Sequence, residues 1–309
     1  MSALRGKKVN KEEIVFKIER LKKEKNAVIL AHNYQIGEVQ DVADYIGDSL
    51  GLSQKAAHVK EELIIFCGVH FMAETASILA PEKTVLMPEI KAGCPMANMI
   101  TASELREWKK DYPGSKVVCY VNTTAEVKAE CDICCTSSNA VNVVNSLDGD
   151  TILFAPDKNL GAYIARHTKK KIIPWDGYCY VHNNILARDI KEKKNLYPGG
   201  EVWVHPECRP EVIDLADRVF STGKMVKEAH KTKKKDIIIG TETGIIYRMK
   251  KENPNKNFYP ARDMAFCSNM KKINLRKVLK SLENMKYEVK VPQKISQKAR
   301  GAIERMVEI

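Results

Sequence analysis

Three cysteines in this 309-residue chain, Cys94, Cys179 and Cys267, lie 85 and 88 residues apart in matching surroundings. The segments are TVLMPEIKAGCPMAN (84–98), KIIPWDGYCYVHNN (171–184) and NFYPARDMAFCSNM (257–270), each an apolar strand, a Pro, an acidic residue, the Cys and then an Asn. Thiolates are the soft ligands that iron–sulfur clusters take. Three of them meeting without a fourth suit a [4Fe–4S] cluster with one iron left open, able to act as a Lewis acid toward carboxylate or hydroxyl oxygen. A three-thiolate zinc site with an open position is the competing reading.

Further columns keep step with the cysteines. Three apolar strands each end in polar residues at i and i+2: His32 and Tyr34, Tyr120 and Asn122, His205 and Glu207. Side chains two apart on a strand share a face, so each pair points into one space. A hydroxyl follows the first member by 17 residues in every case, as Ser49, Ser137 and Thr222. At helix starts these hydroxyls and the free backbone N–H groups would favour a carboxylate or phosphate, although a plain N-cap is the bland alternative. His205 and Glu207 together suit the proton movements of enolisation, imine tautomerisation and dehydration. His32 with Tyr34 could position a carboxylate and shuttle a proton, and Tyr120 with Asn122 offers neutral donors to a second carboxylate.

Positioning these columns requires a repeated scaffold. Short, continuously apolar strands alternate with helical segments: AVILA, ELIIFCG and TVLMP in the first unit; VVCYV, TILFAP and KIIPW in the second; VWVHP, DIIIG and FYP in the third. That alternation predicts parallel sheets covered on both faces. VQDVADYIG reads as a helix before Asp48. The expected fold is α/β: three homologous α/β/α units in pseudo-threefold arrangement around a central site. Their strand ends, where open parallel sheets bind ligands, would face inward. The domains are read as 1–98 plus 271–309, 99–184 and 185–270, with 11–25 a leading helix. The tail is read as a helix, a strand at 287–291 (YEVKV) and a final helix, packing back on the first unit.

The net charge of +12 fits a lysine-rich solvated surface better than a nucleic-acid partner, because no aromatic residues alternate with runs such as KTKKK (231–235). The charged start MSALRGKKVNKEE lacks a signal-peptide pattern, and no apolar run approaches membrane-spanning length, so a cytoplasmic protein without membrane partners is expected. Nine cysteines in such a chain argue for reduced thiols rather than a disulfide framework. Cys131, Cys134 and Cys135 lack a fourth partner and are read as packing. Cys67, Cys119 and Cys208 are read as core, and His182 is left unassigned. An electron carrier would call for four cysteines in a compact motif, which the chain does not offer.

The motifs ILAHNYQIGEVQDVADYIGDSL, GCPMANMIT, YVNTTAEVKA, CTSSNAV, VHPEC, STGKM, IGTETG and MAFCSNMKK resemble those of the quinolinate synthases across nearly the whole chain. The resemblance implies a [4Fe–4S] enzyme of NAD biosynthesis that condenses iminoaspartate (iminosuccinate) with dihydroxyacetone phosphate, losing two waters and phosphate to give quinolinate. It implies cluster ligands at Cys94, Cys179 and Cys267. Substrate contacts would fall on His32, Ser49, Tyr120, Asn122, Ser137, His205, Glu207 and Thr222, with Tyr34, His205 and Glu207 catalytic. An aspartate-oxidising enzyme would supply the iminoaspartate. Longer members carry a Cys-x2-Cys-x2-Cys run around the last ligand, where this chain has only Cys267. Another [4Fe–4S] or zinc-dependent hydro-lyase acting on a small anionic substrate is the alternative.

Overall fold

A strand that is apolar at every position must be covered on both faces, and the computed structural model, which describes residues 10–309, covers them so. Among the described residues, twelve strands form three four-stranded sheets. The first contains β1 (Ala27–His32), β2 (Tyr45–Gly47), β3 (Leu63–Cys67) and β4 (Thr84–Leu86). The second contains β5 (Lys116–Tyr120), β6 (Ile133–Cys135), β7 (Thr151–Ala155) and β8 (Lys171–Pro174). The third contains β9 (Glu201–Val204), β10 (Arg218–Val219), β11 (Asp236–Gly240) and β12 (Asn257–Pro260). The orders are β2-β1-β3-β4, β6-β5-β7-β8 and β10-β9-β11-β12, one topology used three times. All pairings within the sheets are parallel. The expected α/β architecture of three repeated units is present.

The order reverses between the two central strands of each sheet, and a crevice opens at such a switch point beyond their carboxyl ends. The amino ends are tied differently. Ile29 N–H donates to Asp44 Oδ2 at 2.8 Å, Val117 N–H to Asp132 Oδ2 at 2.7 Å and Val202 N–H to Asp217 Oδ2 at 2.8 Å. Each aspartate returns its own N–H to the same strand residue's carbonyl, at 2.9, 3.0 and 2.9 Å. A lysine stands 2.7, 3.8 and 3.9 Å from the three carboxylates, namely Lys22, Lys116 and Lys194.

Apolar clusters lie on either side of the sheets. Val28, Leu30 and Phe66 share one continuous cluster with Val118, Ile152 and Phe154, so the first two units are joined through their inner faces. The last helix, Gln293–Glu308, contributes Ala299, Ala302, Ile303 and Met306 to that cluster. It also bonds to both units: Gln54 Nε2 donates to Val307 O at 3.0 Å and Asn139 Nδ2 to Met306 O at 2.8 Å. The helix Leu275–Asn284 packs Val278 and Leu282 with Ile29 and Ile65 of the first unit. The third unit has a cluster on each face of its own sheet, around Val202 and Ile238 and around Trp203 and Ile239.

Three sequence expectations are corrected. Tyr45–Gly47 is an edge strand, and the helix before it stops at Val42. The segment 287–291 is no strand: Tyr287 takes a left-handed φ of 65°, leaving a single antiparallel bridge between Glu288 and Leu86. Cys119 and Cys131 are joined in a disulfide, because β5 and the turn before β6 bring them side by side. The other seven cysteines are free. No helix among the described residues is long and apolar enough to cross a membrane, and the charged stretch before Asn10 lies outside those residues.

Candidate active site

The carboxyl ends of the three sheets meet at one cavity. His32 closes β1 with Tyr34 beyond it, Tyr120 closes β5 with Asn122 beyond it, and His205 and Glu207 follow β9; all six line the cavity. Ser49, Ser137 and Thr222 line it too, as do Cys94, Cys179 and Cys267. Every residue singled out from spacing is therefore brought together. Their local settings differ from expectation in one respect. Ser49 and Thr222 are first residues of ten-residue helices whose caps are Asp48 and Ser221, whereas Ser137 sits in a turn before the helix Ala140–Ser146.

The histidines repeat a local device. Tyr34 N–H donates to His32 Nδ1 at 3.2 Å, and Glu207 N–H donates to His205 Nδ1 at 3.3 Å. A ring nitrogen that accepts a backbone N–H carries no proton, so in each neutral ring the proton sits on Nε2. Burial lowers His32 to about 4 and His205 to about 3, so both are neutral near pH 7. The His205 Nε2–H then donates to Ser137 Oγ at 3.1 Å.

Glu207 sits at the centre of a buried network. Tyr120 Oη donates to its Oε1. Its Oε2 lies 2.6 Å from His182 Nδ1 and 4.0 Å from His205 Nδ1. The carboxylate stands off the in-plane direction of the His182 ring nitrogen, which makes an ion-pair distance without an aligned hydrogen bond. Burial alone would raise Glu207, but His182 and His205 outweigh it and hold the carboxyl at about 2. His182 stacks on His205 with ring centroids 4.5 Å apart. On its other side, His182 Nε2 and Tyr34 Oη both reach Thr241 Oγ1, at 2.8 and 2.6 Å. Burial and the Glu207 charge push both Tyr34 and Tyr120 well above the usual phenol range, so each remains a proton donor. Asn122 Oδ1 is buried without a hydrogen-bond partner, a free acceptor at the cavity wall.

The model of the family described as Quinolinate synthetase A protein matches residues 16–308. A protein of Dehalococcoides mccartyi named quinolinate synthase is 61% identical over 298 residues, covering 96% of this chain and 99% of its own length. Quinolinate synthase 2 of Methanosarcina acetivorans is 53% identical, covering 96% of each chain. Quinolinate synthase of Pyrococcus furiosus is 52% identical, covering 96% of this chain and 98% of its own. The chain belongs to the quinolinate synthase family.

A cluster of the kind the quinolinate synthase resemblance implies can be tested against the sulfurs. Burial pushes the Cys94 thiol up to about 12, while the N–H groups of Ala97 and Met96 directed at it pull the other way. Burial and then Glu207 push Cys179 well above the usual thiol range, with the His182 N–H opposing them. Thiols so desolvated ionise only when a cation arrives to bind them, and N–H groups aimed at sulfur stabilise the thiolate formed. The donor set therefore fits a soft metal group. Cys179, His182 and Glu207 also offer ligand atoms within 4.8 Å of one another.

Within this quinolinate synthase site, spacing missed two central residues. His182 lies three positions after Cys179 and has no counterpart in the other units, so the repeat gave no column for it. Thr241 follows β11, in the motif IGTETG, and only the fold reveals that it links Tyr34 to His182. The cavity lining carries Asp48, Glu207 and Glu242 but no Lys or Arg among the described residues. Tyr180, next to Cys179, ties the loops of Cys179 and Cys267 together by accepting the Ser268 N–H at 3.0 Å.

Proposed function

We propose that the chain carries out the quinolinate synthase reaction at this cavity. Iminoaspartate and dihydroxyacetone phosphate condense through one new carbon–carbon and one new carbon–nitrogen bond, and two waters and phosphate leave. The observation that carries the assignment is the convergence of Cys94, Cys179 and Cys267 with all three polar pairs on one cavity, in a chain of this family.

In this reading Cys94, Cys179 and Cys267 would hold a [4Fe–4S] cluster, which would supply Lewis-acid activation of a substrate oxygen. The chain's own groups do the rest. With no Lys or Arg in the lining, carboxylate and phosphate oxygens are met by neutral donors. These are the N-termini of the helices that begin at Ser49 and Thr222, the Nε2–H of His32, and the Ser137 hydroxyl. Asn122 accepts a donor on the substrate. His205 passes its Nε2 proton to or from Ser137 and the bound reactants. Tyr34 donates from its phenol and is re-protonated through Thr241 and His182. Glu207, with one oxygen on Tyr120 and the other beside His182, keeps both aimed and balances positive charge on the imidazoles. Burial of the whole network excludes bulk water, which protects an imine from hydrolysis. The reading includes a cytoplasmic location and supply of iminoaspartate by an aspartate-oxidising enzyme.

An anaerobic assay for quinolinate from the two substrates, with protein reconstituted with iron and sulfide and with protein left without them, tests the assignment. Formation only in the reconstituted sample supports it, and no quinolinate in either ends it. A hydro-lyase with one zinc ion is the second reading, favoured by the Cys179, His182 and Glu207 set. A colourless zinc-loaded protein that dehydrates a small acid and makes no quinolinate would select that reading.

A further inference from the structure

Two acidic residues hold the loops of two of the cysteines. Asp157 and Glu242 each stand two positions beyond the end of a central strand, β7 at Ala155 and β11 at Gly240, and both are 0% exposed. Carboxyl groups in such places must be held by donors. Asp157 accepts the Leu160 N–H on Oδ1 at 2.8 Å and the Cys179 N–H on Oδ2 at 3.1 Å. Glu242 accepts the Gly244 N–H on Oε2 at 2.7 Å and the Cys267 N–H on Oε1 at 2.9 Å, with Lys271 Nζ 2.7 Å from that second oxygen. Each thus divides its oxygens between its own loop and the backbone of a cysteine 22 or 25 residues further along. The first unit lacks the device. Val69 occupies the place two beyond β3, and the link from that strand end to the loop of Cys94 is a main-chain one, His70 N–H to Ala92 O at 2.9 Å.

We propose that Asp157 and Glu242 are positioning residues that fix the backbone of Cys179 and Cys267 for the metal group those thiols hold. The inference rests on the cluster reading above. A metal ligand points correctly only if its backbone is held, and outer partners of ligands are typically worth 10–100-fold in metal affinity. In two of the three cysteine loops a strand-end carboxyl group takes the cysteine N–H, and in the third none does.

The substitutions Asp157→Asn and Glu242→Gln isolate this role. Each carboxyl serves two N–H groups with two oxygens, whereas an amide has one, so in either orientation its NH2 faces one of them, donor against donor, and the tie between strand-end loop and cysteine backbone is broken at unchanged side-chain size. Asp132→Ala and Asp217→Ala are the controls, since they remove the same kind of bond at the far ends of the same two sheets. All four are reconstituted anaerobically beside the wild-type protein. Iron content, the electron paramagnetic resonance signal of the reduced state, the rate of iron loss to a chelator and the melting temperature are then measured.

The expected result is iron loss about 10–100-fold faster with an altered resonance signal in Asp157→Asn and Glu242→Gln. The controls should lower the melting temperature while keeping the wild-type signal and loss rate. Wild-type signal and loss rate in both cavity-end variants would overturn the proposal, as would equal changes in the controls. If one variant fails to fold, the other decides by the same comparison. A wild-type protein that takes up no iron would instead sink the cluster reading, and the positioning role with it.

Discussion

The two ends of each sheet have opposite histories. At the amino ends the same aspartate closes the same two-way bond in all three units, at Asp44, Asp132 and Asp217. At the carboxyl ends, equivalent places hold His32 and Tyr34, Tyr120 and Asn122, and His205 and Glu207, while Val69 faces Asp157 and Glu242 as counterparts. A bond that fastens strand to strand has one solution in every copy. At the cavity end the cysteine and hydroxyl columns still recur, but the strand-end pairs differ in every copy, so the side chain is kept where the scaffold is made and varies beside the cavity.

The sharpest way to break this contrast is Cys179→Ala, which removes a thiolate from the cavity end. Iron binding and quinolinate formation should both be abolished while the circular dichroism spectrum stays that of the wild type; retention of normal iron would refute the convergence of three ligands. Next in size is Glu207→Gln, which leaves Tyr120 and His182 without their charged partner. Turnover should fall about 10²–10⁴-fold, with iron content unchanged, and steady-state kinetics with an iron assay decide the matter. The amino ends should behave in the reverse manner. Asp44→Ala, Asp132→Ala and Asp217→Ala each remove a charged acceptor from a buried N–H and should each cost about 1–3 kcal/mol of stability. Turnover per folded molecule should hold, and denaturant melts that rank the three sites far apart would undo the equivalence.

The smallest effect is one of pH. His32 and His205 are held neutral by burial, with pKa values of about 4 and about 3 in the folded chain against about 6.5 when unfolded. Because the folded values are depressed, the unfolded chain binds more protons below pH 6.5, and stability falls as pH drops toward 4. Between pH 7 and 6 the loss is about 0.7 kcal/mol for each ring. Thermal melts at the two values should show it, and a rise in stability on acidification across that interval would contradict it.

The sequence made the triplication and the cavity columns legible because the cysteines, hydroxyls and strand-end pairs recur at nearly fixed distances along each unit. The aspartate column was equally open to reading. Asp44, Asp132 and Asp217 each precede the helix-side hydroxyl by five residues, but a solvent-facing acid before a short strand carries no apolar signal. Edge strands of two or three residues, such as Tyr45–Gly47 and Arg218–Val219, are too short for a period to register. The segment 287–291 alternates like a strand, yet the left-handed turn at Met285 and Tyr287 prevents its joining the sheet. His182 and Thr241 belong to one unit alone and become partners only when the loops meet. The Cys119–Cys131 pairing likewise depends on which strand lies beside which.

The cavity that recruits doubly charged reactants has carboxylates and neutral histidines but no Lys or Arg in its wall among the described residues. The positive charge lies elsewhere on the chain, which carries 51 Lys and Arg against 39 Asp and Glu. Capture and release are thereby assigned to separate regions: the outer field draws an anion in from a distance, and salt will slow that arrival. Once the aromatic product has formed, no lysine or arginine among the described residues of the wall detains it, and repulsion from within shortens its stay.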